Sequence, residues 1–176
     1  MALPYHPKPG EIYMCAFPNE YMQGEMIKTR PVIILNKKID GRPKLVNVVP
    51  LSMTAPDPVC GHHVKVNRLY LPKGIRDKEG DRWAKCDMVY TMSIDRLDFV
   101  RGHRTAGGAR VMDKGTLPPA TLLAVRLATA KCLGVHAGSF AALRAEAVTV
   151  LAPVAGLPET SANQDGAIEA EAVNPA

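Results

Sequence analysis

The fold is decided by two apolar segments joined by a turn: RPVIILN at residues 30–36 and LVNVVPL at residues 45–51. Both segments are rich in β-branched residues and have the length of strands. Between them stands Asp40-Gly41, a dipeptide typical of tight hairpin turns. We therefore predict two strands that run back on each other, the first apolar enough to be buried on both faces.

Further short strands are predicted on either side of this hairpin. Alternating or β-rich patterns occur at residues 10–17, 62–66, 84–91, 98–101 and 109–112, separated by segments that contain Gly, Pro and charged residues. Residues 18–29 are polar and predict a loop, and Ser93 is expected to cap a single helical turn at residues 93–97. Many short strands joined by turns indicate a mainly β fold, either a small barrel or a strongly bent antiparallel sheet.

A helix is predicted after the strands, over residues 120–133. Its apolar side is expected to hold Leu122, Leu123, Val125, Leu127 and Leu133. Thr116 is expected to cap its start, with Pro118 and Pro119 near the first turn, and Gly134 to end it. We predict one domain at residues 1–135, an Ala-rich additional helix within 136–152, and a disordered acidic tail at 153–176.

The charge of the chain is unevenly distributed. There are 22 Lys and Arg against 17 Asp and Glu residues, for a net charge of +5. Residues 151–176 hold four acids and no base, so the first 150 residues carry +9. A basic globular part favours a polyanionic partner such as nucleic acid, although basic surfaces also serve solubility.

The sequence predicts a cytoplasmic protein with no membrane partner. Its longest apolar stretch is far shorter than a membrane span, and its N-terminus lacks the apolar core of a signal peptide. In that compartment the four widely spaced cysteines are expected to be reduced: Cys15, Cys60, Cys86 and Cys132.

One local group of metal-ligand types occurs, at Cys60-Gly61-His62-His63. If both histidines lie on one strand, their side chains point to opposite faces and do not share an ion. No second ligand pair stands at zinc-finger spacing. We therefore predict ordinary surface histidines, with no metal and no other cofactor.

Polar residues stand at the ends of the predicted strands. Arg30 opens one strand, Ser52 follows its neighbour, and Lys85 and Asp87 are two apart on another and so share a face. If these strands are neighbours, a cation, a hydroxyl and a carboxylate converge, which suits phosphodiester chemistry. Spacing alone favours the structural alternative, in which Arg30 and Asp87 form an ion pair and Ser52 caps a turn. No dinucleotide, Walker A or hydrolase-elbow motif is present.

Four short motifs, in order, resemble those of the MazF/PemK toxins of type II toxin–antitoxin modules. They are PGEIY at residues 9–13, GEMIKTRPVIIL at 24–35, VVPLS at 48–52, and KCDMV at 85–89 followed by Arg96-Leu97. The resemblance covers residues 9–134. Each motif is weak singly, but four in the right order on elements of the right type are more specific.

The resemblance implies an SH3-like barrel with a C-terminal helix, usually a homodimer, that cleaves single-stranded RNA without a metal. In that chemistry the ribose 2′-OH attacks the adjacent phosphate and leaves a 2′,3′-cyclic phosphate and a 5′-OH. The implied protein partner is a cognate antitoxin whose acidic segment covers the basic groove. The acidic tail of this chain is then either a solvated extension or an internal mimic of that segment.

The family's functional positions correspond to residues of this chain one by one. The catalytic positions correspond to Arg30, Ser52, Asp87 and Glu25, and the RNA-binding positions to Lys28, Thr54 and Lys85. Two residues depart from the family pattern, since Lys85 stands where the PemK branch uses Arg and Met88 stands where Gln is common.

The resemblance also implies a role for each catalytic position. Arg30 is expected to stabilise the phosphorane and to protonate the leaving oxygen. Asp87 or Glu25 is expected to take the proton of the 2′-OH, and Ser52 to hold a phosphate oxygen, with Lys85 adding charge.

Two functions without cleavage remain as alternatives. The related CcdB toxins share this fold yet bind DNA gyrase, so the fold by itself does not specify a ribonuclease. A relative with an altered site would bind RNA or a partner without cutting it. The presence of Arg30, Ser52 and Asp87 favours the enzyme.

Overall fold

The computed structural model describes residue 3 and residues 5–18, 22–76, 80–105 and 107–135. The additional helix and the acidic tail predicted for residues 136–176 lie outside these ranges. Among the described residues the strands are β1 Glu11–Ala16, β2 Thr29–Ile34, β3 Leu45–Ser52, β4 His63–Val66, β5 Arg82–Lys85, β6 Tyr90–Ser93, β7 Leu97–Asp98, β8 Val100–Arg104, β9 Arg110–Asp113 and β10 Gly115–Thr116. The helices are α1 Lys73–Arg76 and α2 Pro119–Cys132.

Eight of these strands form one antiparallel sheet, in the order β10-β1-β2-β3-β5-β4, with β6 added to β3 and β7 to β1. Strands β8 and β9 pair separately. The β2–β3 hairpin pairs Val32 with Pro50 and Ile34 with Val48, and its turn contains Gly41 at a φ of 71°. The predicted hairpin and the mainly β fold are confirmed.

Strand β3 has two successive partners, which lets the sheet curl. Its first half pairs with β6, where Val48 lies opposite Tyr90, and its second half pairs with β5, where Leu51 lies opposite Ala84. The register shifts by three residues between these ladders, so one continuous strand does not fit both. The single strand predicted at residues 84–91 is therefore wrong, because the chain turns at Cys86 and Asp87.

The central strands are buried on both faces. On β2, Val32, Ile33 and Ile34 are each 0% exposed. Alternate residues enter two separate cores. One core contains Ile12, Ile33, Val49, Leu51 and residues of α2, and the other contains Tyr13, Cys15, Val32, Ile34 and Val48.

Helix α2 differs from the sequence prediction at its start and on its surface. Thr116 is not its cap, because Thr116 belongs to β10, where it pairs with Glu11 of β1. Pro118 occupies the cap position, without a side-chain hydrogen bond. The end at Gly134 is confirmed by its φ of 79°. Within the described residues, no helix is long and apolar enough to span a membrane.

Only part of the predicted apolar side of α2 is buried. Leu122 and Val125 face the core, together with Ala128 and Thr129. Leu123, Leu127 and Leu133 are instead 56%, 53% and 67% exposed. At about 3.6 residues per turn, positions 123 and 127 lie on the opposite side of the helix from 125.

The segment between β4 and β5, predicted as turns and loop, contains a 3₁₀ turn at Arg68–Tyr70 and the four-residue α1. This segment crosses β10 at Gly115. A Cβ at Gly115 would lie 2.6 Å from Cδ of Pro72, so glycine permits this close approach. The crossing places α1 beside β8, where it contributes to the cavity described below.

A buried carboxylate joins β1 to the segment before β10. Glu11 accepts hydrogen bonds from Lys114 Nζ at 2.6 Å, from the Tyr13 hydroxyl at 2.7 Å and from the Lys8 backbone N–H at 2.8 Å. Burial alone would raise the pKa of Glu11, but these three donors outweigh it and hold that pKa below its usual value.

We expect Glu11→Gln to lower the free energy of unfolding by about 1–3 kcal/mol at pH 7, because the amide leaves the Lys114 ammonium without its counter-charge. A carboxyl whose folded-state pKa is lowered stabilises the protein above its unfolded pKa, and this contribution is lost as pH falls through the folded pKa. The gap to the wild type, measured by urea unfolding, therefore shrinks below about pH 4.5.

The control is Asp95→Asn, which removes a surface pair with Lys44 at 3.4 Å. Exposed pairs of this kind contribute about 0–1 kcal/mol. A Glu11→Gln gap that stays constant down to low pH contradicts this assignment.

Candidate active site

A cavity of about 590 Å³ lies beside the start of β2. Four arginines and one aspartate are among the residues of its lining: Arg30, Arg82, Arg96, Arg101 and Asp98. We call this the arginine cavity. Its volume is within the range of small-molecule sites, and its exposed arginines keep it in contact with solvent.

Arg82 has a structural role in this cavity. Its side chain is 1% exposed and donates hydrogen bonds at 3.1 Å to the backbone carbonyls of Ile75 and Gly80. Burial lowers the pKa of Arg82. Arg82 therefore joins α1 to β5 and supports the cavity wall.

The other three arginines make longer contacts. Arg30 donates to a backbone carbonyl three residues earlier at 3.4 Å, and Arg96 donates to a carbonyl of β1 at 3.4 Å. Arg101 lies 3.5 Å from the carboxylate of Asp98. A guanidinium has five N–H donors, so these groups retain donors for the oxygens of a phosphate.

The rest of the lining is largely apolar. Besides aliphatic side chains of β1, β2 and β3, it includes the ring of Phe99. Tyr5 and Tyr13 pack against this ring with centroids 6.3 and 5.7 Å away. Phe99 also packs against the second core, so these contacts hold its ring in place at the edge of the cavity.

Ser52 ends β3 and Thr54 follows it, and neither residue belongs to the lining of the arginine cavity. The ladder between β2 and β3 ends at Val32 and Pro50, and Ser52 pairs with Trp83 of β5. The Ser52 hydroxyl accepts the Thr54 N–H at 3.1 Å, so it caps a turn as the structural alternative predicted.

Lys85 and Asp87 lie elsewhere on the sheet. Trp83 is opposite Ser52, and Lys85 is two residues farther along β5, which is about 7 Å. Asp87 lies beyond the end of β5, and its carboxylate is 3.9 Å from Nε2 of His62. The contact found for Asp87 is thus with His62 rather than with Arg30.

The charge of Asp87 affects the pKa values of two neighbouring side chains. Burial, followed by the nearby charge of Asp87, raises the pKa of the Cys132 thiol on α2. Burial and the positive charges of His62 and Lys85 lower the pKa of His63, against the opposing effect of Asp87.

Glu25 and Lys28 are exposed on the loop that leads into β2. The Glu25 carboxylate accepts the Met22 N–H at 3.1 Å, and Lys28 has a positive φ of 67°. The hydroxyl of Tyr90 accepts the Met26 N–H at 3.0 Å and anchors the loop. Both charged residues thus stand on the same loop, a few residues before Arg30 in the sequence.

Sequence reasoning missed four residues of the cavity lining: Arg82, Arg96, Arg101 and Asp98. A signal was present, because Arg96 belongs to one of the motifs quoted above and Asp98 is two residues later. What the sequence lacked was the pairing of β7 with β1, which sets Asp98 opposite Met14. That pairing places β7 and β2 on either side of β1.

The prediction that His62 and His63 point to opposite faces is wrong. It required both residues to lie on one strand, but β4 begins at His63 and His62 belongs to the preceding turn. The two ring centroids are 4.1 Å apart. The ligand atoms of Cys60, His62 and His63 all lie within 4.8 Å of one another.

Comparison with known proteins agrees with the fold. YifN, an uncharacterized protein of Escherichia coli K12, is 36% identical over 121 residues, covering 59% of this chain and 80% of that protein. MazF from Deinococcus radiodurans has a TM-score of 0.54 at 16% identity, covering 74% of this chain and 99% of that one. The Mycobacterium tuberculosis toxin MazF-mt6 has a TM-score of 0.46 at 18% identity, covering 73% and 99%.

The family described as PemK-like, MazF-like toxins of type II toxin–antitoxin systems matches residues 8–130. That range spans β1 to α2 and includes every lining residue of the arginine cavity. The chain therefore belongs to the PemK-like, MazF-like toxin family of type II toxin–antitoxin systems.

Proposed function

We propose that this toxin is a metal-independent endoribonuclease that cleaves single-stranded RNA at the arginine cavity. The observation that carries the proposal is that Arg30, the family's arginine before proline, lines a cavity with Arg96, Arg101 and Asp98. Cations beside a carboxylate are the groups that a phosphodiester cleavage by an internal hydroxyl requires.

The charge and shape of this region favour RNA as the substrate. The first 150 residues carry +9, which attracts a polyanion, and the exposed Arg96 and Arg101 concentrate that charge at the cavity. The volume of about 590 Å³ suits a single nucleotide unit. Phe99 offers a stacking surface, and stacking is the common way in which proteins hold unpaired bases.

The proposed reaction is a transfer within the RNA strand. A base takes the proton of the ribose 2′-OH, whose oxygen bonds to the adjacent phosphorus. The bond from phosphorus to the 5′-oxygen then breaks, and that oxygen takes up a proton, which leaves a 2′,3′-cyclic phosphate and a 5′-OH. Arg30 stabilises the extra negative charge of the phosphorane and supplies that proton.

We assign the base to Asp98. Like Arg30, it belongs to the lining of the arginine cavity, and its carboxylate accepts the Phe99 N–H at 2.9 Å and lies 3.5 Å from Arg101. Glu25 and Asp87 are the competing bases that the resemblance implies. Glu25 is on the exposed loop before Arg30, and Asp87 lies against His62.

The proposal predicts RNA cleavage in EDTA that leaves cyclic-phosphate and 5′-OH ends. Arg30→Ala is expected to lower the rate about 10²–10³-fold, because it removes the group that stabilises the phosphorane. Arg42→Ala, which removes an exposed arginine of the hairpin turn outside the cavity lining, is the matched control and is expected to keep the wild-type rate.

Two outcomes would overturn this proposal. Full activity of Arg30→Ala would exclude the arginine cavity as the site. No cleavage by the wild-type protein, over varied RNA sequences, would favour the alternatives in which the barrel binds RNA or a protein without cutting it.

The same assay identifies the base. Asp98→Asn is expected to lower the maximal rate at least about 10²-fold and to remove the acidic limb of its pH profile, because the amide does not accept the proton. Asp95→Asn removes a nearby surface carboxylate and is expected to change neither. If Glu25→Gln removes the acidic limb while Asp98→Asn keeps it, the base is Glu25. If Asp87→Asn does so instead, the base is Asp87.

We propose an antitoxin and a second copy of the chain as the protein partners. An acidic antitoxin segment would cover the arginine cavity, and its excess is expected to inhibit cleavage competitively with RNA.

For the second copy, Leu123 and Leu127 present an exposed apolar side of α2. In sedimentation equilibrium, the wild type is expected to have twice the mass of one chain, and Leu127→Glu the mass of one chain. A monomeric wild type would contradict the homodimer.

A further inference from the structure

We propose that Cys60, His62 and His63 form a binding site for a zinc-class divalent cation, with Asp87 as the fourth ligand. This site lies apart from the arginine cavity, whose lining contains none of these four residues. It goes beyond the proposed ribonuclease, since that chemistry uses no metal.

The ligand atoms are already close to the spacing that a metal requires. In a tetrahedral zinc site with bonds of 2.0–2.3 Å, neighbouring ligand atoms lie about 3.3–3.6 Å apart. Here the thiol and imidazole ligand atoms lie within 4.8 Å of one another. The Asp87 carboxylate is 3.9 Å from Nε2 of His62. Small side-chain rotations would bring the three clustered atoms to bonding distance, and Asp87 would approach from the side of His62.

The backbone holds the cluster in this arrangement. The turn before β4 is closed by a hydrogen bond from the His63 N–H to the Cys60 carbonyl at 3.0 Å. The Cys86 N–H donates to the His62 carbonyl at 3.1 Å, which fixes that turn to the end of β5. Asp87 follows Cys86 directly, so this contact keeps the proposed fourth ligand beside His62.

One hydrogen bond bears on the way His63 would bind. Nδ1 of His63 accepts the backbone N–H of Cys60 at 3.0 Å, so this nitrogen carries no proton. A metal on Nε2 leaves that contact in place, and a metal on Nδ1 replaces it.

The donor set indicates which ion fits. A thiolate with two imidazoles and a carboxylate is a donor set suited to zinc, whereas magnesium and calcium prefer oxygen ligands. The thiolate and the carboxylate together neutralise a divalent charge. Binding would tie the loop after Ser52, which ends at Cys60, to the turn after β5.

The test is a titration of the purified full chain with Co²⁺ and then Zn²⁺, followed by absorption. We expect one Co²⁺ per chain, visible bands of tetrahedral intensity, a thiolate-to-cobalt charge-transfer band in the near ultraviolet, and displacement by Zn²⁺. Cys60→Ser is expected to abolish the charge-transfer band and to weaken binding at least about 100-fold, and Asp87→Asn to weaken it about 10–100-fold.

Cys132→Ser is the matched control, because it removes an exposed thiol near Asp87 that is not a proposed ligand. This variant is expected to bind Co²⁺ as the wild type does. Absence of the charge-transfer band in the wild type, or its persistence in Cys60→Ser, overturns the proposal. Unchanged urea unfolding of the ion-free variants shows that loss of binding is not loss of folding.

Discussion

Burial of β2 on both faces is the constraint on which the rest of the structure depends. A strand with Val32, Ile33 and Ile34 fully covered needs apolar partners above and below it. The curled sheet supplies one cover and α2 with its neighbouring strands supplies the other. Each fully buried side chain contributes about 1.5–3 kcal/mol, so the two cores together make this hairpin the rigid centre of the described domain.

The candidate site is placed where that burial ends. Exposure along β2 rises from fully buried Ile34 towards exposed Thr29, and Arg30 is at the transition. A guanidinium at this point has a backbone fixed by the core and a side chain that reaches solvent. A catalytic cation needs this combination, since it must be held in place before the substrate arrives.

Several arginines around one cavity repel one another, and the fold offsets this in different ways. Arg82 is bound by backbone carbonyls, and Asp98 lies beside Arg101. Arg30 and Arg96 make longer contacts with carbonyls. A bound phosphate would relieve the remaining repulsion, so the same charges that weaken the free protein would strengthen its complex with RNA.

Local patterns predicted the first three strands, the hairpin between the second and third, and the helix end at Gly134, because β-branched runs and glycines act through nearby residues. They failed where distant pairing decides. The break after Lys85 follows from the two partners of β3, and the exposure of Leu127 follows from where α2 meets the sheet.

The residues of the candidate site also divide into those that local patterns predict and those that only distant strand pairing brings to the cavity. Arg30 and Ser52 were predicted because each stands at the end of a predicted strand, and of the two only Arg30 belongs to the cavity lining. Asp98 was missed because only the pairing of β7 with β1 brings it to the cavity. The roles of all the residues that the resemblance implies remain predictions: Glu25, Lys28, Arg30, Ser52, Thr54, Lys85 and Asp87.

The location of bound RNA is the most direct test of the central claim. Isotope-labelled protein would be titrated with a short 2′-O-methyl RNA, which lacks the attacking hydroxyl and stays intact. We expect the side-chain N–H signals of Arg30, Arg96 and Arg101 to shift together and to saturate at one RNA per site. Shifts confined to another surface, with these three signals unchanged, would contradict it.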